Sequence, residues 1–329
     1  MKRIFPIILL VLALGLGAQA ADPIRLQGGL RQLLARYGDQ VGVVLIDIRS
    51  GRSISQNGDL PFPAASVIKL PIMAATFKEA ENRKLSLEDR IAMTENKKLP
   101  GSGVLQWLKP NTYTIWNLTR MMISLSDNTA TLLLSEKLGL PKLNEYCQAF
   151  GLRYTIIKDR TTLVEPPSPE ANYTTPQDMA RLLLKIYCRD GFADQSVKDM
   201  LAFMENQRYR WGICRPLPWR TKIANKTGNL DGVLNDVGIV FTPGGDYILS
   251  VFTRGFPKKR EAREIINAVS AYVYEAYQPG KIAVEEQKAK MRAKKTPRRD
   301  LTAVPCAVTR AAENSTASKF SLTEQVLLI

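Results

Sequence analysis

Three short motifs in this chain hold side chains that can carry out acyl transfer. Ser66-Val67-Ile68-Lys69 sets a hydroxyl and an amine three residues apart. On a helix, positions i and i+3 share a face, so the Lys69 amine can reach the Ser66 hydroxyl. A helix N-terminus favours a developing alkoxide. A lysine kept neutral by partial burial can take the serine proton. Ser126-Asp127-Asn128 adds a hydroxyl able to relay a proton and an amide that both donates and accepts. Lys226-Thr227-Gly228 adds positive charge, a second hydroxyl, and a glycine that lets backbone or ligand approach closely. Each motif also has a plain structural reading. Asp127 and Asn128 can cap a helix that begins at Thr129, and Lys226 to Gly228 can be the end of a strand.

Composition narrows the chemistry. The 329 residues include no histidine. That excludes Ser-His-Asp triads, Cys-His dyads and histidine-ligated zinc. A general base must then be a lysine, a carboxylate, a tyrosine or a bound water. Four cysteines, Cys147, Cys188, Cys214 and Cys306, lack CxxC spacing. They read as buried free thiols, with Cys188–Cys214 the one bridge considered. No metal or organic cofactor is implied.

The motifs need elements to position them. Leu26, Leu30, Leu33 and Leu34 have helical spacing over Ile24 to Tyr37. Val41 to Ile48 reads as a buried strand, with Ser53 to Gln56 returning as its hairpin partner. Ala65 to Asn82 is predicted as one helix, with Pro71 early in it. Helical patterns cover Trp116 to Leu125, Thr129 to Leu138 and Thr174 to Tyr187, and the stretch from 85 to 215 holds few strand signals. Strands resume at Lys222 to Lys226, Val233 to Phe241 and Tyr247 to Thr253, and Arg260 to Tyr277 closes as a helix. The expected fold is α+β: an antiparallel sheet flanked by helices, built from both ends of the chain, with an all-helical subdomain (about 85–215) inserted between.

Both ends differ from this body. Residues 1–20 read as a secretory signal peptide: Lys2 and Arg3, an apolar run, then Ala18-Gln19-Ala20 as the cleavage pattern. Residues 21–280 form the catalytic domain. Residues 281–329 read as a basic, disordered tail, with ten Lys/Arg against five Asp/Glu. The expectation is an exported monomer, periplasmic or secreted, whose tail can touch an anionic envelope. Nucleic acid is not expected as a partner.

The motifs occur in the order SxxK, SDN, KTG on predicted helix, loop and strand. With Pro100 to Leu105, Ser126 to Thr131 and Gly232 to Phe241, they give a chain that resembles the penicillin-recognising serine enzymes. Within them it is similar to the class A β-lactamase-related group over residues 24–278. The resemblance implies a β-lactamase/transpeptidase-like fold and these roles. Ser66 is the nucleophile and Lys69 the acylation base or its partner. Ser126, helped by Lys226, protonates the leaving nitrogen. Thr227 binds the substrate carboxylate with Lys226, Gly228 lines the site, and Asn128 holds the substrate's side-chain amide. The backbone N–H groups of Ser66 and Asn229 form the oxyanion hole.

One part of the pattern departs. Class A β-lactamases carry a glutamate two residues after an Asp-Arg pair, where it activates the deacylating water. Here Asp159-Arg160 is followed at that distance by Thr162, and Glu165 comes three residues later. Glu165 is the candidate for the water-activating role, with Glu170 a weaker one. Three functions follow: a β-lactam hydrolase, a penicillin-binding D,D-peptidase or slowly deacylating β-lactam-binding protein, and an envelope-binding protein acting through its tail.

Overall fold

The computed structural model describes residues 23–164 and 166–278. The expected signal peptide, the tail and Glu165 lie outside the described residues. Helix α1 (Pro23–Leu34) leads into strand β1 (Val41–Asp47) and its hairpin partner β2 (Ser53–Gln56). A two-residue strand β3 (Phe62–Pro63) precedes α2 (Lys69–Glu81). A ribbon of β4 (Arg90–Met93) and β5 (Asn111–Thr114) precedes α3 (Ile115–Ser124), α4 (Asn128–Leu138) and α5 (Leu140–Ala149). Then come β6 (Tyr173–Thr174), α6 (Pro176–Cys188) and α7 (Asp194–Glu205). The chain returns through β7 (Lys222–Leu230), β8 (Val233–Phe241) and β9 (Tyr247–Thr253) to α8 (Lys259–Ala276).

The main sheet is antiparallel, in the order β2-β1-β9-β8-β7. β1 and β9 are buried along their whole length, because both sheet faces are covered. On one face Val41, Val43, Leu45, Leu234 and Val251 pack with α1 and α8. On the other, Val44, Ile46, Val237 and Ile239 join a core that includes α2, α3 and α6. Strand side chains alternate between faces, so each residue of β7 and β8 can be assigned to one layer. That alternation decides which residues meet Ser66.

Several boundaries differ from the sequence expectation. The Ala65 to Asn82 helix is a 3-10 turn, Ala65–Ile68, running into α2. Lys226 to Gly228 lies inside β7 rather than at its end. Pairing with β8 continues to Leu230 and Val233, leaving Asp231-Gly232 as a tight turn. Gly232 supplies that turn's positive φ of 68°. The 85–215 stretch holds the β4–β5 ribbon and β6 as well as helices. The Cys188–Cys214 bridge is not made: Cys214 is a free, buried thiol, with its Sγ 3.5 Å from Asn225 Oδ1.

Candidate active site

Ser66 lies in the 3-10 turn, partly exposed, with the four residues after it buried. The chain before it is held from two sides. Ala64 N donates to Asn172 O at 2.8 Å. Asn235 Nδ2, on β8, donates to Pro63 O at 2.9 Å and Ala64 O at 3.2 Å. Ala65 has a φ of 46°, in the left-handed region that side chains with a Cβ avoid. Gly228 stands opposite Asn235 in the β7–β8 ladder. A Cβ on Gly228 would lie 3.0 Å from Ala65 Cβ, 3.1 Å from Ala64 O and 3.3 Å from Ser66 N. Glycine there lets β7 close on the Ser66 turn.

Two buried lysines meet at Ser126. Lys69 Nζ lies 2.8 Å from Ser126 O, 2.8 Å from Asn128 Oδ1 and 3.2 Å from Ser126 Oγ. Lys226 Nζ donates to Ser126 Oγ at 2.9 Å and to Thr227 O at 2.8 Å. Ser126 has a φ of 54°, in the left-handed region. Asp127 holds the surrounding loop. Its Oδ1 accepts from Ala130 N, capping α4, and its Oδ2 accepts from Val104 N at 2.7 Å and Leu105 N at 2.9 Å. Gly103, with a φ of 104°, passes so close that a Cβ would lie 2.2 Å from Asp127 Oδ2. Asn128 Nδ2 ties the same loop by donating to Pro100 O at 2.9 Å.

The electrostatics favour a neutral amine at Lys69. Burial pulls its pKa well below the usual lysine value, the Lys226 charge lowers it further, and Asp127 partly opposes. A neutral Lys69 has two N–H bonds for Ser126 O and Asn128 Oδ1, and keeps a lone pair free to accept a proton. Burial brings Lys226 down to about 7, against the pull of Asp236. The Asp236 carboxyl is itself pushed up by burial, opposed by the donors Asn225 Nδ2 at 2.8 Å and Ile213 N at 2.7 Å. Ser126 Oγ therefore stands between two amines whose hold on a proton is weakened by burial.

The candidates are not all equally gathered. Lys69, Ser126, Asn128 and Lys226 form one hydrogen-bonded cluster. Gly228 faces Ser66 N, and Asn229 follows on β7 as an exposed residue. Thr227 alternates to the opposite face, across the ladder from Asp236. Glu170 is exposed. Thr162 is buried, has a φ of 59°, and its Oγ1 has no hydrogen-bond partner. The loop around it is organised by Asp159, whose carboxylate accepts from Thr161, Leu163 and Val164 N. Asn235, Asp236 and Asn172 escape motif reading. A signal for the first two is present, since two adjacent polar residues interrupt the apolar run Val233 to Phe241. Among the described residues no cluster of three His, Cys, Asp or Glu could hold a metal ion.

The chain is similar to known proteins over most of its length. The model of the beta-lactamase enzyme family matches residues 25–277. A beta-lactamase of Streptomyces fradiae is 28% identical over 296 residues, covering 79% of this chain and 93% of that protein. Among solved structures, an acyl-enzyme complex of a PBP-A mutant with penicillin G is 32% identical with a TM-score of 0.71. The match covers 79% of this chain and 98% of that one. The beta-lactamase of Sphaerobacter thermophilus is 31% identical with a TM-score of 0.71, covering 78% and 97%.

Proposed function

This chain belongs to the beta-lactamase enzyme family, a class A β-lactamase-like serine hydrolase by its relatives, and on that premise we propose that it opens β-lactams through an acyl-enzyme on Ser66. The observation that carries this reading is the convergence of Lys69 and Lys226 on Ser126 Oγ, at 3.2 and 2.9 Å. Ser66 Oγ attacks the lactam carbonyl carbon, and its proton passes to the Lys69 amine. The backbone N–H groups of Ser66 and Asn229 hold the oxyanion. The tetrahedral intermediate collapses with cleavage of the C–N bond. Ser126 Oγ gives its proton to the leaving nitrogen and recovers one from Lys69 or Lys226. Lys226 also attracts the substrate carboxylate, a role the family resemblance shares with Thr227, and Asn128 binds the substrate's side-chain amide.

Water then hydrolyses the ester. Glu165 is the proposed activator of that water. Thr162, standing where the family resemblance places the glutamate, favours a second reading: acylation is fast and release slow, as in a penicillin-binding D,D-peptidase or a β-lactam trap. Turnover of a chromogenic cephalosporin by purified protein separates the two. Steady multiple turnover supports hydrolysis. One stoichiometric burst followed by a stable adduct supports the slow-release reading. The finer assignments belong here too: export directed by residues 1–20, a catalytic domain over 21–280, and a tail that touches the anionic envelope.

A further inference from the structure

We propose that Asn235 is the positioning residue that fixes the Ser66 N–H for the oxyanion, an inference that rests on Ser66 being the nucleophile. Asn235 is fully buried. By alternation it lies on the same face of the sheet as Lys226 and Gly228, its ladder partner. Its amide is fully engaged on that face. Nδ2 donates to Pro63 O and Ala64 O, and Oδ1 accepts from Thr253 N at 3.3 Å. The two carbonyls it holds precede Ala65, the residue with positive φ, and Ser66 follows directly.

A residue held in the left-handed region persists only where its surroundings over-determine it. Asn235 fixes two carbonyls before Ala65, and the helix starting at Lys69 fixes the chain after Ser66. The missing side chain of Gly228 lets both strands close on Ser66 N, 3.3 Å from where its Cβ would be. Releasing the Asn235 bonds allows the Ala64–Ser66 backbone to relax toward ordinary dihedrals and turns the Ser66 N–H away. Because the oxyanion forms only once Ser66 has attacked, in the tetrahedral intermediate and the transition states beside it, the loss falls on acylation rather than on ground-state binding.

The test compares the parent protein with Asn235→Asp and Asn235→Leu. Asn235→Asp keeps an acceptor for Thr253 N but has no donor for the two carbonyls. Acylation by penicillin G is followed by mass spectrometry. Affinity is measured for a boronic acid, whose boron becomes tetrahedral on a serine oxygen, and for intact penicillin G in a Ser66→Ala background, where no oxyanion can form. Melting curves establish that each variant is folded. The expected result is a loss of about 100-fold in acylation rate and boronate affinity, with penicillin G affinity in the Ser66→Ala background changed less than about threefold. Gly228→Ala, whose new Cβ presses on Ser66 N from the neighbouring strand β7, is expected to slow acylation and weaken boronate binding likewise, and serves if Asn235→Leu does not fold. Folded variants that lose both affinities equally, or neither, overturn the proposal. A parent that forms no Ser66 adduct overturns the underlying reading instead.

Discussion

At the scale of single residues, the chemistry depends on which amine is neutral. Burial and the Lys226 charge both lower the Lys69 pKa. Acylation needs neutral Lys69, so its rate rises as pH passes upward through that pKa. Lys226→Gln removes the neighbouring charge, lets Lys69 hold its proton more tightly, and moves the acidic limb of the acylation profile to higher pH. The same change replaces the amine that can return a proton to Ser126 by an amide that cannot, and is expected to cost about 100-fold or more in rate at neutral pH. A pH series of single-turnover acylation checks both. Thr162 offers a second residue-level prediction. Its hydroxyl is buried without a partner, so replacing it leaves no hydrogen bond broken. Thr162→Glu is expected to raise steady-state turnover of penicillin while the acylation rate stays within about threefold, since the new carboxylate acts on the deacylating water alone. Burst and steady-state phases of one progress curve separate the two rates.

At the scale of elements, the site is a junction of the Ser66 turn, the α3–α4 break and β7. Asp127 fixes the middle of it by capping α4 and holding Val104 and Leu105. Asp127→Ala is expected to lose a cap worth about 1 kcal/mol and leave two N–H groups unpaired at about 1 kcal/mol each. Urea unfolding should therefore show a loss of about 3 kcal/mol. The sequence made this junction partly legible. β8 and β9 were readable to the residue, because strands covered on both faces are mostly apolar and the Pro243 to Asp246 turn separates them. The SxxK, SDN and KTG side chains were readable because each motif carries its chemistry within four residues. The turn at Ala65 and the clamp from Asn235 were not, because they depend on residues about 170 positions apart. Thr227 shows the same limit. Its hydroxyl type was legible, but the face it occupies follows from ladder register.

At the scale of the whole molecule, residues 23–278 hold the complete sheet, both cores and the lysine–serine cluster. Truncation to residues 21–280 is expected to leave the acylation rate unchanged. Because loss of residues 281–329 alone removes ten Lys/Arg and five Asp/Glu, it should weaken adsorption to anionic vesicles, measured by co-sedimentation at low and high salt. Retained adsorption would place the envelope contact on the catalytic body. The wider account needs only Ser66 to be the group that is acylated. The most direct test is to incubate the protein with penicillin G and map the adduct by peptide mass spectrometry. The account predicts one penicilloyl group on the peptide containing Ser66, absent in Ser66→Ala. An adduct on another residue, or an unchanged yield in Ser66→Ala, would contradict it.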